Sequence, residues 1–160
     1  MHLYHGLIHC TKIVLSNVVL AIIKRNFIYL LEEAFVSLYK TLVRSHLEYA
    51  NSVWNPYRMG LIKDLKKVQM RATELVIKLK HLRYKERLER LKLPTLRYRR
   101  TRGDMIEVYK ILTESYCKSV NLELELHKKS VTRGHSLKLV NSRCHYDLRK
   151  YSFAVRVVNI

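Results

Sequence analysis

Apolar residues return at three- and four-residue steps along most of this chain, the period of helices packed against a core. The clearest case runs from about Leu61 to Lys80, where Leu61, Leu65, Val68, Ala72, Leu75 and Leu79 step by 4, 3, 4, 3 and 4. That spacing predicts one amphipathic helix with a continuous apolar stripe. Lys63, Lys66, Lys67, Arg71, Lys78 and Lys80 fall largely off the stripe and so face outward. Only Asp64 and Glu74 lie near enough in sequence to pair with them. Upstream, residues 12 to 25 are apolar nearly all round and predict a buried helix ending at Lys24-Arg25-Asn26. A second helix starts near Glu32-Glu33, whose charge suits a first turn, and runs to about Tyr49 with Phe35, Leu38, Tyr39, Leu42 and Val43 inward.

Asn51 to Gly60 reads as a turn-rich connector holding Trp54, the only tryptophan. After the basic helix comes a short one, Tyr84 to Leu91, with Leu88 and Leu91 inward and a stop at Leu93-Pro94. Thr95 is the expected N-cap of a further helix reaching about Glu114. Val108, Tyr109, Ile111 and Leu112 are expected in its core, and Gly103 inside it points to close packing. Beyond Ser115 the helical period fades. Leu122, Leu124 and Leu126 alternate with glutamates, Thr132-Arg133-Gly134-His135 reads as a turn, and Tyr151 to Ile160 fits helix or strand. The expected fold is mainly α: a helical bundle over residues 1–115, then a C-terminal extension, 116–160, that is irregular or β-containing. The extension ends in an apolar run without a cap, as though cut short.

Charge sharpens this picture. The 45 residues from Arg58 to Arg102 hold 16 of the 31 Lys and Arg against 4 of the 13 Asp and Glu, a net of +12 out of +18. So concentrated a field favours a polyanion, and nucleic acid is the commonest one. Arg97, Arg99, Arg100 and Arg102 crowd the first turns of their helix, where they oppose the macrodipole unless something negative approaches. With Arg83 they join the lysines and Arg71 as candidate phosphate contacts. Tyr49, Trp54 and Tyr57, flanking the connector, are the candidates for base stacking, although aromatics at helix ends are commonly core anchors.

Other classes of function find less support. The run Ile13 to Ile23 is 11 residues long, against the roughly 20 needed to cross a bilayer. It also lacks the basic start and the cleavage site of a secretory signal. Cys10, Cys117 and Cys144 form no C-x-x-C pair, which fits reduced thiols in an intracellular, nuclear or cytoplasmic protein. His2, His5 and His9 beside Cys10 share a helical face but read as incidental rather than metal-binding, and no cofactor is expected. Asp64, Asp104 and Asp147 are mutually distant, two of them on expected helix surfaces, so no two-metal site is expected. Neither a Gly-rich phosphate loop nor a hydrolase motif is present, and Cys144-His145 reads as a chance juxtaposition. No catalytic residues are expected, and no small-molecule substrate.

Several of these segments carry a specific likeness. Leu38-Tyr39-Lys40-Thr41-Leu42-Val43-Arg44-Ser45-His46-Leu47-Glu48-Tyr49-Ala50, followed by Val53-Trp54-Asn55-Pro56-Tyr57, resembles the post-palm segment of reverse transcriptases from jockey-like non-LTR retrotransposons (LINE elements). In the same order come Leu65-Lys66-Lys67-Val68-Gln69 with Arg71-Ala72-Thr73, and Tyr84-Lys85-Glu86-Arg87-Leu88 through Leu93-Pro94-Thr95-Leu96 with Tyr98-Arg99-Arg100. Arg102-Gly103-Asp104-Met105-Ile106-Glu107-Val108-Tyr109-Lys110-Ile111-Leu112 follows, then Thr132 to Leu139 and Arg156-Val157-Val158-Asn159. The likeness covers roughly residues 12 to 160. It implies a helical thumb and the region after it, gripping a template–primer duplex, with Lys63, Lys66, Lys67 and Arg71 nearest the backbone. The family's Tyr-x-Asp-Asp motif and its endonuclease have no counterpart here, so polymerisation does not carry over. Ser45 stands where the family usually has proline, Lys92 where it has glycine, and Arg97 where an acidic residue is common.

The reading is therefore a non-catalytic fragment that binds RNA or DNA through a basic helical face. An inert, pseudogene-like product with no selected activity is the alternative. A membrane-surface role ranks below both, because the basic helix has few large aromatics on its apolar side.

Overall fold

A computed structural model of the chain describes residues 2–116, 122, 124–127, 138–141 and 143–159, with the side chains of 2–8, 148 and 159 outside the description. The protein is mainly helical, and it divides into two compact units, Met1–Arg100 and Thr101–Ile160. In the first unit, α1 spans His2–Asn26, α2 Glu32–Leu38, α3 Arg44–Glu48, α4 Met59–Thr73 and α5 Tyr84–Arg90. Helix α6, Leu96–Leu112, starts in the first unit and continues into the second.

Helices α2 and α3 are one rod joined by a π-helical turn, Tyr39–Val43. Its sequence explains the turn. Phe35, Tyr39, Val43 and Leu47 are all buried and repeat every four residues, which outruns the 3.6-residue α-turn. One wider turn absorbs the surplus and keeps the four on a single line. The Phe35 and Tyr39 rings stack with centroids 5.7 Å apart. Leu42, expected in this core, is instead exposed.

Helix α1 begins at His2 rather than at residue 12, and it is not the fully buried helix expected. Leu20 and Ile23 face the core, while Val14, Leu15, Val18 and Ile22 lie exposed. Lys12 ties it to the rod: its Nζ donates to the Tyr49 carbonyl at 2.6 Å, a cation at the end of α3. Half-burial holds the Lys12 pKa below the ordinary lysine value.

Helix α4 stops seven residues short of the expected Lys80. The Thr73 hydroxyl donates to the Met70 carbonyl at 2.8 Å, and Glu74 and Leu75 close with i−3 rather than i−4 bonds. Val76 then leaves the helix in an extended conformation and is completely buried. A 3-10 turn, Ile77–Leu79, follows and returns Leu79 to the core. The apolar stripe thus survives a change of backbone. Leu65, Val68, Ala72, Val76 and Leu79 pack in one cluster with Leu20, Ile23, Leu30, Leu88, Leu91, Leu93, Leu96 and the α2–α3 line.

Helix α5 ends as a Schellman motif: Lys92 N donates to the Glu89 carbonyl at 3.1 Å and Leu93 N to the Leu88 carbonyl at 2.9 Å. That geometry puts Lys92 at φ 51°, a left-handed position that favours glycine. Lys92→Gly is expected to raise stability by about 1 kcal/mol through relief of this strain. The check is a rise in the urea midpoint without a change in slope.

Thr95 caps α6, its Oγ1 accepting from Tyr98 N at 3.2 Å. In the second unit, Ile111 is buried as expected, but Tyr109 is 65% exposed. Asp104, expected on a helix surface, is fully buried. It accepts from Arg156 Nε at 3.1 Å and Nη2 at 2.9 Å. After α7 at Asp147–Lys150, the last stretch is helical from Phe153, with α8 at Phe153–Arg156 and a 3-10 turn at Val157–Asn159. Among the described residues, extended pairing amounts to one antiparallel bridge, Leu126 with Leu139, flanked by bonds from His127 N to Lys138 O and from Val140 N to Glu125 O. The turn expected at Thr132–His135, and Cys117, lie outside the described residues.

Candidate nucleic-acid interface

On α4 the sequence period becomes a surface. Lys63, Lys66, Lys67 and Arg71 are all exposed, while Leu65, Val68, Gln69, Ala72 and Thr73 on the other side are buried. Lys63, Lys67 and Arg71 form an i, i+4, i+8 row with a rise of about 6 Å per step. Among the described residues no carboxylate pairs with Lys63, Lys66 or Arg71, whereas Lys67 Nζ lies 2.9 Å from Asp64 Oδ1. Lys66 rests over the Tyr84 ring, 5.5 Å from its centroid.

What holds this face rigid is Gln69, fully buried behind it. Its Nε2 donates to the Pro94 carbonyl at 3.1 Å. Its Oε1 accepts from Tyr84 Oη at 2.8 Å and from Leu96 N at 3.3 Å. One amide therefore joins α4 to α5 and to the start of α6. Burial pushes the Tyr84 pKa up to about 12, against a smaller lowering by Arg87, so the hydroxyl keeps the proton it donates. Buried Arg87 adds a second tie, from Nη2 to Glu74 Oε1 at 3.1 Å and from Nη1 to the Leu82 carbonyl at 3.2 Å.

The remaining predicted cations divide. Lys78 and Lys80 are exposed, but on the 3-10 turn and at its cap rather than on an extended α4, and Arg83 is exposed at the entry to α5. Arg97 is exposed at the start of α6, and Arg102 is exposed on the same helix within the second unit. Arg99 and Arg100 do not join them. Arg99 makes a two-pronged pair with Glu48, Nε to Oε1 at 2.9 Å and Nη2 to Oε2 at 2.7 Å, fastening α6 to α3. Arg100 is only 8% exposed. The charge that opposes the α6 dipole is thus partly answered inside the protein, by Glu48.

Tyr49 stands 74% exposed at the end of α3, whereas Trp54 and Tyr57 are half-buried in the connector, with Arg58 over the Tyr57 ring at 5.9 Å. At the amino terminus His9 is buried and the neighbouring Cys10 exposed. Among the described residues no group of three or more His, Cys, Asp or Glu could hold a metal ion, and no helix is long and apolar enough to cross a membrane.

Sequence periodicity found the cationic face and missed the fasteners behind it. Gln69, Arg87 and Glu48 are polar residues one or two places from buried apolar ones, and apart from the Leu82 carbonyl their hydrogen-bond partners lie 13 to 51 residues away. No local pattern signals such pairs.

No protein-family model matches this chain, and no curated protein or solved structure matches it either.

Proposed function

We propose that the chain binds nucleic acid through its phosphate backbone, along the outer face of α4, without catalysing a reaction on it. The observation that carries this is the set Lys63, Lys66, Lys67 and Arg71, which shares one exposed face and is anchored from behind by a buried stripe and the Gln69 amide. Charge displayed on a rigid helix needs no backbone ordering on binding, so only the side chains give up freedom against the counterion-release gain. Lys78, Lys80, Arg83 and Arg97 extend the positive field without sharing the α4 row. Arg99 and Arg100 serve the fold instead.

The template–primer duplex of a retroelement reverse transcriptase is the ligand this reading favours. Two features support it: the ordered motifs of the thumb and post-thumb region, and Lys92. That residue holds a left-handed conformation at the position where the resembled family usually has glycine. A protein with this task acts inside the cell, in nucleus or cytoplasm.

Titration of a labelled primed duplex at 50 and 200 mM salt tests the proposal. Four phosphate contacts correspond to a slope of about −3.6 in log K against log salt, a fall of roughly 150-fold across that interval. Binding that ignores salt contradicts it. Asp64→Asn is a second check, since it frees Lys67 from its carboxylate. Affinity is expected to rise several-fold, because the Lys67 contact no longer competes with a neighbouring carboxylate. Stability should move by less than about 1 kcal/mol, the usual worth of an exposed pair.

A further inference from the structure

Behind the carboxyl end of α4 lies an open cleft of about 560 Å³, within the range of roughly 300–1,000 Å³ typical of small-ligand sites. Phe27 and Ile28, just past the end of α1, form one part of its wall, and Leu75 and Ile77 form another. Phe27, Ile28 and Ile77 are exposed, so apolar surface is presented with nothing packed on it among the described residues. Three cations, Lys24, Arg71 and Lys80, line the same cleft. Its one carboxylate, Glu74, is matched by the Arg87 guanidinium at 3.1 Å. The cleft therefore joins an apolar wall to a net positive lining, the chemistry of a ligand with a flat apolar body and an anionic group.

Arg71 decides which ligand of that kind fits. It ends the Lys63–Lys67–Arg71 row and also lines the cleft. A strand followed along α4 by its phosphates is delivered to the cleft at Arg71. We infer that this cleft receives the unpaired base of a nucleotide at the end of a nucleic-acid strand, its phosphate held by Arg71, Lys24 and Lys80. The inference rests on the α4 reading above. A paired base cannot enter the site, because its hydrogen bonds to the opposite strand hold it in the helix, so the cleft selects single-stranded ends. Stacking on an aromatic tolerates any base, and no sequence preference is expected.

The test compares a blunt duplex with a duplex carrying a three-nucleotide single-stranded overhang, matched in total phosphates, by anisotropy with the full chain. The overhang is expected to bind about tenfold tighter, the scale of one stacked base. Ala21→Trp, which fills the cleft from an exposed position on α1, should abolish that preference and leave blunt-duplex affinity unchanged. Phe27→Ala should reduce the preference in the same way, and both variants are to be checked by thermal melting. Equal binding of the two ligands, or a preference that Ala21→Trp leaves intact, overturns the inference while the backbone proposal stands. If the blunt duplex fails to bind but a single strand binds in a manner lost with Ala21→Trp, the cleft survives and the α4 duplex grip does not. If neither ligand binds, both readings fall.

Discussion

Asp104→Ala is expected to destabilise the second unit by about 3–5 kcal/mol. The Asp104 carboxylate is fully buried, and the Arg156 side chain that meets it is only 11% exposed. Both prongs of the guanidinium are spent on it, at 3.1 and 2.9 Å. Truncating the acid leaves that guanidinium in a site with little water, with a 3.4 Å bond to the Tyr151 carbonyl and the Phe153 ring at 5.5 Å. Those contacts satisfy some donors but supply no counter-charge. A whole domain is held by only about 5–15 kcal/mol, so a loss of this size takes a large share of it. The double variant Asp104→Ala with Arg156→Met should recover much of the loss, because an apolar pair of similar volume often replaces a buried ion pair at little cost. Urea melts of the three proteins decide the matter. A loss below about 1 kcal/mol for the single variant means that Arg156 finds water when the acid is gone.

The second large effect is on binding. Replacing Lys63, Lys66, Lys67 and Arg71 together by alanine should lower affinity for a duplex on the order of 10³-fold at 0.1 M salt and flatten the salt slope by about 3.6. The fold should be spared. All four side chains are exposed, alanine is the best helix former, and the buried contacts of Gln69, Leu65, Val68 and Ala72 are untouched. The Lys66–Tyr84 contact and the exposed Lys67–Asp64 pair are lost, each worth about 1 kcal/mol or less. As a contrast, Arg99→Ala should weaken the attachment of α6 to Glu48 without changing the salt slope, because Arg99 is already neutralised within the protein. A fall below tenfold for the quadruple variant places the phosphate contacts elsewhere.

How far these residues were legible in the sequence follows from the range of the forces involved. Helix content, the α4 stripe, the Thr95 cap and the stop after Leu91 are local, and spacing predicts them. The exposure of Lys63, Lys66, Lys67 and Arg71 follows from the same period. The early end of α4 escapes it, because burial of Val76 and the Thr73 hydroxyl override a stripe that carries on through the turn. The exposed ridge of α1, Val14 with Val18 and Ile22, escapes it too, since hydropathy alone does not say which side of an apolar helix finds a partner. The misplacement of Asp104 has the same origin. Its partner is 52 residues away, and an acid in a polar-looking helix reads as surface. Arg99 and Arg100 looked like their basic neighbours and were separated from them only by tertiary contact.

The central claim is that phosphates track one face of α4, and lysine footprinting tests it most directly. The chain is acetylated sparingly with and without a saturating duplex at low salt, and the modified lysines are read by mass spectrometry. Strong protection of Lys63, Lys66 and Lys67 is expected, clearly above that of Lys40 and Lys85, which lie on other helices. Protection spread evenly over every exposed lysine, or absent from those three, contradicts the account.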